Sequence, residues 1–140
     1  MNFLLDTCVI SELAKIEPHP NVTSWISGKP EAHLFLSSFT IGEIQKGISK
    51  LLVDSAKRNQ LQSWLDKDLV GRFDKRILPF DVHAARKWGE IQGAAELAGC
   101  KMSVMDSLIA SIGIAYDLTV VTRNVRDMEF SRVGLFNPWE

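Results

Sequence analysis

The 140-residue chain has little of several residues that usually carry chemistry: two cysteines, three histidines and one tyrosine. Cys8 and Cys100 are too few and too far apart for a zinc ribbon or a C-x-x-C redox pair. Both lie among apolar residues and read as reduced core thiols. His19, His33 and His83 show no pairwise metal-ligand spacing. Neither sign of charge dominates: 16 Lys+Arg stand against 17 Asp+Glu, so no bulk field draws the protein to nucleic acid or to an anionic membrane. Any nucleic-acid chemistry must come from a local site. There is no long apolar run either, because the richest stretch, Leu108 to Val121, is broken by Ser111, Gly113 and Asp117. It is too interrupted to span a membrane. Met1 to Asp6 has neither the basic start nor the apolar length of a signal peptide, and a cytoplasmic location is expected. Repeats, low-complexity segments, a G-x-S-x-G elbow, a P-loop and a G-x-G-x-x-G fingerprint are all missing.

What is present is the composition of a folded globular protein, 46% hydrophobic and 24% charged, at a length that suits one domain over residues 1–140. Short apolar runs alternate with helical patterns. That order predicts an α/β, three-layer domain with a central parallel sheet of about four to five strands flanked by helices. Strands are expected at Phe3–Leu5, Leu34–Ser37, Ile77–Phe80 and Leu118–Thr122, with a fifth within Gly134–Asn137. Helices are expected at Val9–Ile16, Asn21–Ser27, Thr40–Leu52, Asp54–Leu69, Val82–Leu97 and Met105–Tyr116. The third of these carries the stripe Ile41, Ile44, Ile48 and Leu52. All four tryptophans, Trp25, Trp64, Trp88 and Trp139, read as core by default.

The informative pattern lies in where acids fall. Asp6 directly follows the first strand, and Asp127 comes shortly after the strand ending at Thr122. Ligands of open α/β sheets bind outside the carboxyl ends of strands. Glu43 lies early in its helix and, at about 100° per residue, opposite the isoleucine stripe. Asp106 lies in the first turn of its helix, with small Ala110 and Gly113 continuing its face. Each acid also has a plain structural reading. Asp6 can cap the next helix, Glu43 can share a solvated face with Lys46 and Lys50, and Asp106 can form a capping box with Ser103. Asp127 can be a surface acid. Asp81 also follows a strand, but a helix cap explains it fully. If three or four of these carboxylates converge, their repulsion calls for a counter-charge. A hard divalent cation such as Mg²⁺ supplies one with oxygen ligands, and such a site suits phosphodiester hydrolysis.

Taken in order, these segments resemble a PIN-domain protein, and within that family a VapC-type ribonuclease toxin of the FitB-like branch. The resemblance is carried by Leu4-Leu5-Asp6-Thr7-Cys8-Val9-Ile10-Ser11-Glu12 and by Ser37-Ser38-Phe39-Thr40-Ile41-Gly42-Glu43-Ile44. It continues in Met105-Asp106-Ser107-Leu108-Ile109-Ala110, in Val121-Thr122-Arg123-Asn124-Val125-Arg126-Asp127 and in the closing Asn137-Pro138-Trp139. It implies that Asp6, Glu43 and Asp106 meet at the carboxyl edge of the sheet, with Asp6 and Asp106 as direct Mg²⁺ ligands and Mn²⁺ as a substitute. It also implies a metal-dependent endoribonuclease, a homodimer, and a cognate antitoxin that blocks the cleft and alone contacts operator DNA. Two departures stand out. Asn124 occupies a place where many relatives carry a fourth acid, leaving Asp127 as the alternative, and Met128 stands where close relatives often have Phe. Thr122 is placed to hydrogen-bond an acid or a bound water. Lys46, Lys50, Arg123 and Arg126 read equally as an RNA path, as antitoxin contacts or as solvated surface. Two rivals remain: a PIN-like module that only binds RNA or a partner, which Asn124 keeps open, and a haloacid-dehalogenase-like phosphatase. The phosphatase wants a second Asp where this chain has Cys8.

Overall fold

A computed structural model describes all 140 residues. The first strand, β1 (Phe3–Leu5), is buried along its whole length. It becomes the middle of a five-stranded, all-parallel sheet with β2 (Leu34–Ser37), β3 (Ile77–Leu78), β4 (Thr119–Val121) and β5 (Leu135–Phe136), in the order β3-β2-β1-β4-β5. A strand covered on both faces has no polar side, which is why Phe3-Leu4-Leu5 runs apolar without alternation. Its neighbouring side chains still part company. Phe3 and Leu5 join a cluster with Val9, Ile10, Leu36 and Phe73, whereas Leu4 joins Ala84, Ile109, Ile112 and Val120 on the other face.

Parallel pairing requires crossovers, and helices supply them on both faces. The Phe3 side is covered by α1 (Thr7–Leu13), α2 (Pro20–Ser27), α3 (Ser38–Ser49), α4 (Ala56–Ser63) and its continuation through α5 (Val70–Arg72). The Leu4 side is covered by α6 (Val82–Leu97) and α7 (Val104–Ala115), with the short α8 (Val125–Met128) beyond β4. The two long helices are pinned together by Trp88 and Gln92, which donate to Ser107 Oγ at 2.9 and 2.7 Å. At Gly113 the closeness of α7 to the sheet is visible. A Cβ there would stand 2.9 Å from methyl carbons of both Val120 and Val133.

Four expectations change at the local level. The helix expected at Val9–Ile16 begins at Thr7, because Asp6 accepts the Thr7 N–H, and ends at Leu13. Ile16 is fully exposed. The buried Glu12 carboxylate receives Lys15 Nζ and the His19 N–H, which turns the chain away. The single helix expected over Asp54–Leu69 is α-helical only to Ser63, then widens into a π-helical stretch at Trp64–Leu69. Leu52 falls after the end of α3 and is exposed, not part of a buried stripe. Cys100 is also exposed, because Gly99 at φ +66° swings the chain out after α6. Asp81 behaves as a helix cap: it accepts the Ala84 N–H at 2.9 Å and also takes the Tyr116 hydroxyl.

Candidate metal-dependent nuclease site

In the strand order of this sheet the chain first winds outward from β1 to β3, then returns to the other side for β4 and β5. The crevice of such a sheet opens at the carboxyl ends of β1 and β4, where the winding reverses. Asp6 lies there. Its N–H donates to Val121 O at 3.0 Å. Its Oδ1 accepts the Thr7 N–H at 2.8 Å and its Oδ2 accepts the Thr122 hydroxyl at 2.8 Å. Thr122 is itself fixed, since its Oγ1 accepts the Asn124 N–H at 3.0 Å. The helix-cap reading of Asp6 and its placement at the crevice therefore both hold, one oxygen serving each.

Glu43 and Asp106 approach from different helices. Glu43, in the second turn of α3, accepts the Thr7 hydroxyl on Oε1 at 2.6 Å. The same hydroxyl lies 3.1 Å from Thr40 Oγ1, whose residue is fully buried. Glu43 is not opposite the isoleucines. Ile44 and Ile48 line the same slot of about 250 Å³ as Glu43, Thr7 and Trp64. Asp106, in the first turn of α7, follows Ser103 as the capping reading expects. Its N–H donates to Ser103 Oγ, which donates back to Oδ2 at 2.8 Å.

Each acid is thus held by a hydroxyl: Thr122 on Asp6, Thr7 on Glu43 and Ser103 on Asp106. No cation neutralises Asp6. Burial pushes its carboxyl above the ordinary value of 3.8, and the charges of Glu43 and Asp106 push it further the same way. Only the Thr122 hydroxyl and the Thr7 N–H pull it down. The three acids share one electrostatic neighbourhood, although no three of the His, Cys, Asp and Glu side chains converge tightly enough to grip one ion as they stand. All the donors at the site are hard oxygens, the set that suits Mg²⁺ or Mn²⁺ and disfavours softer metals. A buried carboxylate destabilised by two others gains from a small dication what it loses to burial. These residues fit such an ion.

The other expected residues distribute unevenly. Asp127 is exposed on α8 and faces Asp106 across a cleft of about 620 Å³ that Lys101 and Ser103 also line. Its charge is not among those that act on Asp6. A second cleft, about 470 Å³, lies on the other side of Asp127 and is lined by Arg123, Asn124, Arg126, Asn137 and Glu140. Lys46 and Lys50 are exposed on α3 and line none of these clefts. Cys8 is half-buried beside the acids, not deep in the core. Its Sγ lies 3.8 Å from Asp6 Oδ2 and 3.6 Å from Thr122 Oγ1. Burial, with Asp6 adding to it, raises the thiol above its usual range, so it stays protonated. Thr7 was not singled out by the sequence reading. A hydroxyl directly after the strand-end acid was the available signal.

The matching relatives share this arrangement of chain. The PIN domain family model matches residues 3–135. Toxin FitB of Neisseria gonorrhoeae is 34% identical, over 97% of each chain. VapC ribonuclease Y4jK of Sinorhizobium fredii is 32% identical, over 98% of this chain and 97% of that one. A crystal structure described as FitAcB from Neisseria gonorrhoeae superposes with a TM-score of 0.92 at 33% identity, over 99% of both chains. This chain belongs to the PIN-domain family.

Proposed function

We propose that this protein is the endoribonuclease toxin of a toxin–antitoxin pair, hydrolysing RNA phosphodiester bonds with a divalent cation. The observation that carries the reading is Asp6: a carboxylate 7% exposed, at the switch point of a parallel sheet, crowded by two further acids and neutralised by none of the chain's sixteen Lys+Arg. A fold that needed this acid only as a helix cap would not surround it with Glu43 and Asp106. The relatives' names agree, since one is a toxin and another a ribonuclease.

Asp6 and Asp106 would hold the ion, with Glu43 completing the site. Mg²⁺, or Mn²⁺ in its place, supplies Lewis acidity toward the phosphodiester when bound. The remaining work falls to the chain. The Thr122 hydroxyl and the Thr7 N–H hold both oxygens of Asp6, so the carboxylate cannot swing. Thr7 ties up Glu43 Oε1 and leaves Oε2 to accept a proton from an attacking water. Ser103 orients Asp106, and Asp127, which lines the same cleft, would assist the ion or its water. Asn124 adds no charge; its N–H fixes Thr122. The antitoxin would cover this cleft and carry the operator-DNA contact, and the toxin would work as a homodimer.

Purified protein incubated with RNA and Mg²⁺ should cleave it, and EDTA should stop the reaction. An Asp6→Asn protein that cleaves as fast as wild type, free of contaminating nuclease, would sink the reading. It would also revive the module that only binds. In cells, growth arrest on expression should disappear with Asp106→Ala.

A further inference from the structure

Three arginines of this chain are engaged by their neighbours, in two different ways. Arg72 and Arg76 spend their donors inside the protein. Both pair with Glu31 at 2.9 Å, and Arg76 also reaches the Glu31 and Leu34 carbonyls. Arg123 is held by an aromatic face. Its guanidinium lies 5.3 Å from the Trp139 ring centroid, and none of the salt bridges in the protein includes it. A cation stacked on a ring keeps its fork of N–H donors for something else.

Trp139 is well fastened. Its N–H donates to Asn137 Oδ1 at 2.9 Å and its carbonyl accepts Asn21 Nδ2 at 2.8 Å. Its ring packs against the cluster of Phe3, Val9 and Ile10. Its indole also bears on the Glu12 carboxylate, which Lys15 and the His19 N–H hold below the ordinary range. The sheet does not need this segment, since β5 ends at Phe136.

We propose that Asn137–Trp139 is a C-terminal strap that positions Arg123 to grip an RNA phosphate beside the acid site. Arg123 directly follows Thr122, whose hydroxyl binds Asp6, so the grip lies one residue from the chemistry. The cleft it borders adds donors from Asn124, Arg126 and Asn137 against the acids Asp127 and Glu140. In a chain of net charge −1, a fixed arginine supplies locally the attraction the whole molecule lacks. Trp139 is a positioning residue, acting through Arg123. The inference rests on the ribonuclease reading above.

The test measures binding of a fluorescein-labelled single-stranded RNA oligonucleotide to full-length Asp6→Asn protein, with further substitutions, over a range of salt. Arg123→Ala should weaken binding about tenfold, the worth of a charge-assisted hydrogen bond. It should also reduce the slope of log Kd against log salt by about 0.7, one phosphate contact on a single strand. Trp139→Ala should reproduce most of both effects, and Trp139→Phe should restore them by keeping a ring. The double variant Arg123→Ala/Trp139→Ala should be no worse than Arg123→Ala alone, because both remove one interaction. Additive losses would overturn the proposal. So would an Arg123→Ala protein with unchanged affinity and salt slope, including one whose only defect is in binding a protein partner. If Trp139→Ala does not fold, the Phe variant and the Arg123 salt slope decide alone. Failure of the parent reading shows separately, as absence of cleavage by the wild-type protein in Mg²⁺.

Discussion

Asp6 and Glu31 lie at opposite ends of two neighbouring parallel strands and illustrate two ways to keep a carboxylate. Glu31 precedes β2, is largely exposed, and is held below its ordinary range first by Arg72 and then by Arg76. Its charge is matched and its surroundings are wet. Asp6 follows β1, is buried, and is raised by burial and by two more acids. Its partners are hydroxyls and one N–H. In this pair, the exposed acid that fastens the fold is given cations by its own chain, whereas the acid proposed for chemistry is given only neutral donors. The lesson is that the company a carboxylate keeps, more than its position in sequence, separates the two roles.

The sharpest way to break this contrast is Asp6→Asn. It should cut RNA hydrolysis by about 100-fold or more while leaving thermal stability equal or higher, because it removes a buried charge without a cationic partner. Activity assay and melting temperature on one preparation check both halves. Next, Mg²⁺ or Mn²⁺ at saturating concentration should raise the wild-type melting temperature by about 5 °C, and far less in Asp6→Asn. The pH profile carries the sign. The folded-state pKa of Asp6 lies above its unfolded value, so the ionised form costs stability at neutral pH. That cost is relieved as pH falls through the raised pKa toward 3.8. Glu31 runs the other way. Its contribution is present above the ordinary value of 4.5 and is lost as pH falls through the lowered one. Melting curves of Asp6→Asn and Glu31→Gln between neutral and acid pH should therefore diverge from wild type in opposite directions.

A smaller effect is expected from Thr7→Val, which removes the 2.6 Å hydroxyl contact to Glu43. It should cost about 1 kcal/mol of stability and lower the cleavage rate less than Asp6→Asn does, as a denaturant titration and a rate measurement would show. The smallest belongs to Glu31→Gln. Its ion pairs are solvent-screened, so the loss should stay under about 1 kcal/mol, with RNA cleavage unchanged. A Glu31→Gln protein that lost activity would erase the distinction drawn here.

Much of the scaffold was legible in the sequence because each strand is a short apolar run and each long helix is capped by a visible residue. Asp81 and Ser103 cap as their positions suggest, whereas Ser37 and Ser55 cap helices expected to begin at Thr40 and Asp54. The π-helical Trp64–Leu69 stretch was not legible, because Leu61, Trp64, Leu65 and Leu69 already fit an ordinary α-helical stripe. Cys100 read as core from its apolar neighbours, but the left-handed Gly99 decides its exposure. In the site, Asp6 could be singled out by its place after a strand. Thr122 could be named as a donor to an acid, but not to Asp6, which is 116 residues away, and the Thr7–Glu43 pair, which spans 36, was missed. Contacts of that separation leave no local periodicity to read. The stack of Trp139 on Arg123 was hidden for the same reason.

The pairing of β1 with β4 joins Phe3–Leu5 to residues far along the chain, Thr119–Val121. A nascent chain that has delivered Asp6, Glu43 and even Asp106 still lacks Thr122, so its acid has no lock and the sheet no crevice wall. On the proposed reading, a chain still short of Thr122 has no working site. An antitoxin would have nothing to neutralise in such a chain.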